Sequence, residues 1–220
     1  MEVKNSVAIV TGGASGLGEA TVRELLAHGS KIAIFDFNDK AGEAVASELG
    51  EDVIFCKVDV TDEANVQAGI DATMDAFGGL HVAVNCAGVG SAVKVVGRDG
   101  TPYPMDDFKR IVDINLFGTM NVIRLSAIAM MKNEPNEDGE VGVVTNTASI
   151  AAMEGQIGQA AYSASKAGVI GMTLPIAREF ASYGIRVNTI VPGLFLTPLL
   201  MAAPEKVLNS LTAMTLFPKR

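Results

Sequence analysis

The feature that most constrains the fold is a regular alternation of short apolar runs with longer amphipathic stretches. The apolar runs predict six strands, at 7–11, 32–35, 53–58, 82–85, 141–147 and 185–191. Each is apolar on both faces, as a strand in a covered parallel sheet should be. Helical periodicity predicts helices at 16–28, 39–49, 62–77, 106–131 and 162–181. We therefore predict an α/β fold with a doubly wound parallel sheet.

Composition excludes several classes of partner. The chain of 220 residues has a net charge of −8 and no basic cluster, which argues against nucleic-acid binding. No apolar run approaches the roughly 20 residues of a membrane span. Cys56 and Cys86 have no CxxC spacing, and His28 and His81 stand apart, so we expect no metal site. Reduced thiols and the absence of a signal or transit segment predict a cytoplasmic protein, with the mitochondrial matrix left open.

A glycine-rich segment, TGGASGLG, ends the first predicted strand and opens the first helix. Gly12, Gly16 and Gly18 have the spacing G-x-x-x-G-x-G. A pyrophosphate can approach a backbone closely only where side chains are absent, and a helix N-terminus offers free N–H groups. A tight turn would give a similar pattern, but the position between strand and helix favours a dinucleotide site.

Asp36 ends the second predicted strand, 18 residues after Gly18. A carboxylate there can accept hydrogen bonds from the adenosine ribose hydroxyls and would repel a 2′-phosphate. The next residues, Phe37 and Asn38, are neutral, so the sequence predicts NAD rather than NADP. Without the glycine segment, a helix cap would be the simpler interpretation of this aspartate.

Two further strand ends add to the expected cofactor site. Asp59 and Val60 follow the third strand and could hold the adenine, although a turn or cap would also explain them. Small residues follow the fourth strand, where a cofactor could lie against the backbone. The candidates there are Asn85, Cys86, Ala87 and Gly88.

The pair Tyr162 and Lys166, within YSASK, is the sharpest chemical motif. The two residues are four apart on a predicted helix and so share one face. An ammonium and an oxidised nicotinamide would favour the phenolate, which could then exchange a proton with an alcohol or carbonyl. Ser149, 13 residues earlier, could hydrogen-bond the substrate oxygen. Asn115 could anchor a water that relays protons to Lys166.

TGGASGLG, NCAG, Asn115, Ser149, YSASK and Pro192-Gly193 together resemble the short-chain dehydrogenase/reductase family. The resemblance implies a single-domain Rossmann-type enzyme, with Tyr162 as the acid/base and Ser149 on the reacting oxygen. It also implies a homotetramer built on the helices that contain 106 and 162. The cofactor contacts that it implies are Ser15, Leu17, Asp36, Asp59, Val60, Cys86, Lys166, Pro192, Phe195 and Thr197.

Longer stretches, such as NTASIAAMEGQIGQAAYSASKAG, resemble the subgroup that acts on 3-hydroxyacyl-CoA and hydroxysteroids. The implied reaction is reversible hydride transfer between a secondary alcohol and NAD, most simply 3-hydroxyacyl-CoA to 3-oxoacyl-CoA. A hydroxysteroid dehydrogenase, a 3-oxoacyl-carrier-protein reductase and a non-enzymatic NAD-binding scaffold are the alternatives. The scaffold would not need an acid/base pair, and the carrier-protein reductase typically uses NADP.

Several segments allow two interpretations. Segment 88–104 would be a functional or oligomer-facing insert. Its Lys94 or Arg98 would contact an acyl-CoA; the alternative is that the segment is a solvated loop. Segment 199–216 would form a lid over an apolar chain or pack in the core. Gln156 would line the substrate pocket or have a structural role. The family resemblance also predicts a seventh strand that the sequence does not contain, so either the sequence is truncated at its C-terminal end, which we favour, or the sheet closes differently.

Overall fold

A computed structural model describes residues 1–90, 92–203 and 205–213. Within them, one parallel sheet has the strand order β3-β2-β1-β4-β5-β6. Its strands are β1 Val7–Thr11, β2 Lys31–Asp36, β3 Val53–Lys57, β4 Val82–Asn85, β5 Gly142–Thr147 and β6 Ile185–Ile190. This is the α/β doubly wound, Rossmann-type sheet that the sequence predicts, with all six strands in the expected places.

Helices connect the strands and cover the sheet. The α-helices are α1 Gly16–Ala27, α2 Asp39–Leu49, α3 Glu63–Phe77, α4 Met105–Val112, α5 Thr119–Met130, α6 Ala151–Glu154, α7 Ala160–Phe180, α8 Pro198–Met201 and α9 Glu205–Ala213. A 3₁₀ turn, Ala181–Tyr183, follows α7. The predicted boundaries of β1, β4 and α2 agree with the structure, and most others differ by one or two residues. Position 204 and positions 214–216 of the expected lid lie outside the described residues.

Each face of the sheet carries its own hydrophobic cluster. Ile9 and Phe35 point into a cluster that includes residues of α3, α5 and α7. Val10 and Ile34 point to the opposite face, against α1 and α2. Because successive side chains of a strand alternate between faces, central strands must be apolar throughout. That burial explains the uninterrupted apolar runs.

The predicted helix at 106–131 is not continuous. A π-helical turn, Asp113–Gly118, separates α4 from α5. A Cβ on Gly118 would lie 2.5 Å from a Val60 methyl, so the turn brings the helix backbone against the end of β3. The hydrophobic periodicity of the sequence does not reveal this turn. A π-helical turn adds one residue locally, and the apolar stripe on either side of it stays regular. Such turns occur frequently at functional sites.

By length and composition alone, one stretch of the described residues, Met105–Met130, could cross a membrane. In the fold, 56% of its most apolar window is buried. Val122 and Ile123 of α5 are fully buried in the sheet-facing cluster. Packing against the sheet therefore accounts for the apolar character of this stretch.

The order of the strands decides where a ligand can bind. The connections reverse direction between β1 and β4, which lie side by side with Thr11 opposite Asn85. At such a switch point, the loops from the two strands diverge to opposite faces and leave a crevice at the carboxyl ends. The glycine segment after β1 and the NCAG segment of β4 both open into this crevice.

Candidate active site

A cleft of about 730 Å³ lies at the carboxyl ends of the first four strands. It is lined by residues from each of the strand ends that the sequence singles out. The predicted cofactor residues in its lining are Gly12, Ser15, Gly16, Leu17, Gly18, Asp36, Asp59, Val60, Cys86, Ala87, Gly88 and Thr197. The cleft therefore unites segments that are far apart in the sequence.

The glycine segment can be this compact only without side chains. Gly12 has a φ of +64°, and a Cβ there would lie 2.9 Å from the Ala87 backbone. A Cβ on Gly18 would lie 2.1 Å from the Gly12 carbonyl oxygen. The Ser15 side chain, among the described residues, makes no capping hydrogen bond to α1. The first N–H groups of α1 are thus left without that cap, as a pyrophosphate-binding helix N-terminus requires.

The Asp36 carboxylate is held by backbone amides. Its Oδ2 accepts a hydrogen bond from the Ala14 N–H at 3.1 Å, and its Oδ1 accepts one from Asn38 at 3.0 Å. Phe37 beside it is 68% exposed. The ammonium of Lys57 lies 5.6 Å from the centre of that ring and bonds Asp39 at 2.7 Å. This end of the cleft thus presents a fixed carboxylate and an apolar ring.

The ends of β3 and β4 contribute differently. Asp59 accepts hydrogen bonds from the N–H and the hydroxyl of Thr61, which fixes the turn after β3. Asn85 is buried and donates to Asn146 on β5 at 2.9 Å, so its side chain joins two strands instead of lining the cleft. The Thr11 hydroxyl accepts hydrogen bonds from the amides of Cys86 and Ala87. These bonds hold the NCAG backbone beside the glycine segment.

Ser149, Tyr162 and Lys166 converge beyond β5. A hydrogen bond from Ser149 lowers the pKa of Tyr162, but burial raises it more, so the phenol pKa lies above its usual value. The Lys166 ammonium lies 5.8 Å from the centre of the Tyr162 ring and donates to the Thr147 carbonyl at 2.7 Å. Burial lowers the pKa of Lys166 to about 8. In the protein alone, burial therefore outweighs the expected stabilisation of the phenolate.

Asn115 is fully buried within the π-helical turn. Its Nδ2 donates to the Val89 carbonyl and the Ser165 hydroxyl, and its Oδ1 accepts from the Val89 N–H at 2.8 Å. A Cβ on Gly88 would lie 3.1 Å from Asn115 Oδ1 and 3.5 Å from Lys166 Nζ. Asn115 therefore fixes the backbone between itself and Lys166. The predicted water relay stays a prediction.

The remaining predicted residues, on the segments after β5 and β6, lie partly inside and partly outside the cleft lining. Thr197 caps α8 and lies 3.4 Å from a Cβ position on Gly16, so it reaches the glycine segment. Phe195 is more than half exposed, and the Pro192 carbonyl accepts from the Ile150 amide, yet neither lines the described cleft. Gln156 turns back and donates to the Glu154 carbonyl at 3.1 Å.

The cleft also contains residues that no motif identified. Phe37 and Thr61 line it, as do Asp106, Lys109 and Arg110 of α4. Leu199, the first residue of the segment that was expected to form a lid, lines it as well. Phe37 could have been recognised from its place after Asp36. The α4 residues could not, because their place in the cleft depends on the path of the insert. Lys94 and Arg98 of the insert are exposed and lie outside the cleft lining.

Comparison with known proteins identifies the same family. Residues 6–208 match the family described as short chain dehydrogenase. The chain is 53% identical over 219 residues to 3-hydroxyacyl-CoA dehydrogenase type-2 of Drosophila melanogaster, covering 99% of this chain and 86% of that protein.

Two solved structures have a similar fold. One, of 3-hydroxyacyl-CoA dehydrogenase type-2 from Mycobacterium avium, superposes with a TM-score of 0.91 at 47% identity, covering 98% of this chain and 84% of that one. The other is a 3-ketoacyl-(acyl-carrier-protein) reductase from Brucella melitensis complexed with NADH. Its TM-score is 0.81 at 31% identity, covering 90% of this chain and 79% of that one.

Proposed function

The chain belongs to the short-chain dehydrogenase family, and we propose that it interconverts 3-hydroxyacyl-CoA and 3-oxoacyl-CoA with NAD as the cofactor. The family makes it an oxidoreductase that uses a nicotinamide cofactor. The observation that carries the proposal is the convergence of Ser149, Tyr162 and Lys166 after β5. The three side chains are outside the cleft lining, but Lys166 Nζ lies 3.5 Å from a Cβ position on Gly88, which lines the cleft.

The cofactor, when bound, supplies the hydride acceptor or donor, and the chain's own residues manage the substrate oxygen and its proton. Tyr162 would take the hydroxyl proton of the alcohol during oxidation and return a proton to the carbonyl oxygen during reduction. Ser149 would donate a hydrogen bond to that oxygen and steady its developing charge. Lys166 would hold the nicotinamide ribose, as the family resemblance implies, and its ammonium also donates to the Thr147 carbonyl.

The raised pKa of Tyr162 suits this division of roles. Burial keeps the phenol protonated in the protein alone, so that it can act directly as the acid in reduction. For oxidation, the phenolate needs positive charge nearby, which Lys166 and an oxidised nicotinamide would supply. A lone ammonium whose own pKa is about 8 is a weaker source of that charge than a fully hydrated lysine.

The choice of NAD rather than NADP in this proposal rests on Asp36 and its surroundings. The Asp36 carboxylate, held by two backbone amides, would accept hydrogen bonds from ribose hydroxyls and repel a 2′-phosphate. Lys57, whose ammonium lies 5.6 Å from the centre of the Phe37 ring, is paired with Asp39. Phe37 offers only an apolar surface. A fluorescence titration with NADH and NADPH tests the preference, and tighter binding of NADPH would overturn it.

The choice of substrate is supported by the named relatives and by exposed apolar side chains. Both Drosophila melanogaster and Mycobacterium avium proteins are 3-hydroxyacyl-CoA dehydrogenases. Three segments that follow site residues expose large apolar side chains, among them Val95, Ile157 and Leu196. An acyl group could bind to such surfaces. Steady-state reduction of acetoacetyl-CoA by NADH is the direct test; activity on a steroid alcohol alone would favour a hydroxysteroid dehydrogenase.

A homotetramer is part of the proposal. Among the residues of the π-helical turn and α5, Phe117 and Ile128 are each about 60% exposed although they are large and apolar. Leu174 of α7 is 56% exposed. Monomers rarely leave contiguous apolar surface uncovered, and these helices are those that the family resemblance pairs across subunits. Light scattering that gives the mass of a single chain would contradict this arrangement.

A further inference from the structure

Three loop segments contact one another, and one of them joins Ser149 to the helix that carries Tyr162. The insert, described at residues 88–90 and 92–104, approaches α8, where a Cβ on Gly90 would lie 3.7 Å from Leu199. Residues 150–159 join β5 to α7 and touch the loop after β6 through the amide of Ile150, which donates to the Pro192 carbonyl at 3.1 Å. These contacts connect the three segments into a rim beside the catalytic side chains.

The contact between the insert and the 150–159 segment depends on a glycine. Gly158 has a φ of +89°, and a Cβ there would lie 2.9 Å from the Ala92 carbonyl carbon and 3.2 Å from the Val93 nitrogen. Both neighbours are backbone atoms, which cannot rotate away as a side chain could. Any larger residue at 158 would push the insert off this segment.

Backbone hydrogen bonds hold the insert together, so a displacement of Ala92 would move its neighbouring residues with it. Val96 pairs with Pro102 in an isolated antiparallel bridge, and the Tyr103 amide donates to the Val95 carbonyl at 3.0 Å. Asn115 holds Val89 at the start of the insert. A braced hairpin transmits displacement at its base to its tip.

The side chains beside the Gly158 contact are apolar and open to solvent. Ile157 is 84% exposed, and Val93, whose nitrogen faces Gly158, is 39% exposed. Gly158 precedes Tyr162 by four residues, and Ile157 precedes it by five. Uncovered apolar side chains this close to the catalytic group form a surface that an apolar part of a substrate can cover.

We propose that Gly158 is a positioning residue for the substrate: its lack of a side chain seats the insert so that Val93 and Ile157 form one wall for the acyl group. The inference rests on the proposed function, because it assumes an acyl substrate. The inference identifies one residue, Gly158, on which the preference for the length of the acyl chain would depend. Gly158 itself makes no contact with the reacting atoms in this proposal.

Gly158→Ala and a matched glycine variant, Gly50→Ala, test the proposal. Gly50 has the same φ of +89°, but nothing lies within 4 Å of its Cβ position, so only the backbone strain is shared. We expect Gly158→Ala to raise KM for 3-oxooctanoyl-CoA about tenfold, the usual effect of losing a modest apolar contact. KM for acetoacetyl-CoA, kcat and the Kd for NADH should stay close to those of Gly50→Ala. Equal KM values for 3-oxooctanoyl-CoA in the two variants would overturn the proposal.

A second pair of variants serves if Gly158→Ala does not fold. Val93→Ser removes the apolar wall without touching the Gly158 contact, and Val3→Ser changes a valine of equal exposure, 39%, near the N-terminus. A KM for 3-oxooctanoyl-CoA raised only in Val93→Ser supports the proposal, and no difference between the two refutes it. The wild-type enzyme tests the proposed function separately. If it reduces neither CoA ester but oxidises a 17-hydroxysteroid, the acyl wall is refuted together with the proposed substrate. If it reduces acetoacetyl-CoA while the variants show no difference, only the inference about Gly158 fails.

Discussion

The Lys166 ammonium donates a hydrogen bond to the carbonyl oxygen of Thr147 across 2.7 Å. Thr147 is the last residue of β5, and Lys166 lies one turn along α7 from Tyr162. The bond therefore ties α7 to the strand that precedes Ser149. Burial disfavours the charged form of this lysine more than its surroundings stabilise it, which is why its pKa falls to about 8.

We predict that Lys166→Met stabilises the fold near neutral pH. Because the native pKa of Lys166 lies below the ordinary 10.5, the unfolded chain binds the proton more tightly, and the charge costs stability of the order of 3 kcal/mol. That cost is fully present below pH 8 and is relieved as the pH rises towards 10.5. Urea unfolding at pH 7 and pH 9.5 should show a gain for Lys166→Met that shrinks at the higher pH. A gain that grew with pH would contradict the assignment.

Tyr162→Phe should lower kcat by about 10³-fold, since it removes the group that exchanges the proton with the substrate oxygen. The ring stays, so packing and NADH affinity should change little. Tyr183→Phe is the control, because Tyr183 lies in the 3₁₀ turn after α7, where its ring packs against Phe180. Stopped-flow measurement of NADH consumption separates the two variants. Near-normal turnover by Tyr162→Phe would exclude the acid/base role.

The strand–helix alternation was sufficient to predict the sheet because its central strands are buried on both faces. Ile9 and Val10, neighbours in β1, enter opposite hydrophobic clusters, and such strands have an unmistakable apolar sequence. The π-helical turn at Asp113–Gly118 was not predicted. The turn brings Gly118 against Val60, a contact between distant segments that no local sequence pattern records.

The site was predictable where chemistry requires a particular residue type. Gly12 and Gly18 are glycines because neighbouring backbone leaves no room for a Cβ. Asn85 has the expected position, but its side chain bonds Asn146, since a buried amide needs a partner inside the sheet. Arg110 lines the cleft only because the insert delivers α4 there, which sequence reasoning could not foresee.

Asp36→Ala should weaken NADH binding by about tenfold or more. It should also reduce the factor by which the enzyme binds NADH more tightly than NADPH. The carboxylate is fixed by the amides of Ala14 and Asn38, so its removal takes away ribose acceptors and the charge that repels a 2′-phosphate. Asp52→Ala removes an exposed aspartate, 3.8 Å from Lys31, and should leave both affinities unchanged. Parallel fluorescence titrations provide the measurement. An unaltered ratio of the two Kd values in Asp36→Ala would refute the role of this residue in specificity.

Phe117→Asp should convert the proposed tetramer into smaller species. A charge placed in an apolar interface loses its hydration without gaining a partner, which is strongly unfavourable. Phe117 is 60% exposed in the chain by itself, so the substitution should not disturb the fold of the subunit. Tyr183→Asp provides an exposed aromatic control on another turn. Light scattering of both variants should show a reduced mass for Phe117→Asp alone; an unchanged mass would remove this residue from the interface.

Gly18→Ala and Gly171→Ala compare two helical glycines with opposite surroundings. A Cβ on Gly18 would lie 2.1 Å from the Gly12 carbonyl oxygen, whereas nothing lies within 4 Å of a Cβ on Gly171. We expect Gly18→Ala to lose about 1–3 kcal/mol of stability through overpacking and to bind NADH more weakly, because α1 must move off the glycine segment. Gly171→Ala should gain up to about 1 kcal/mol from the higher helix propensity of alanine. Urea unfolding and NADH titration of both variants test the pair; normal NADH affinity in Gly18→Ala would show that the cofactor does not depend on this close approach.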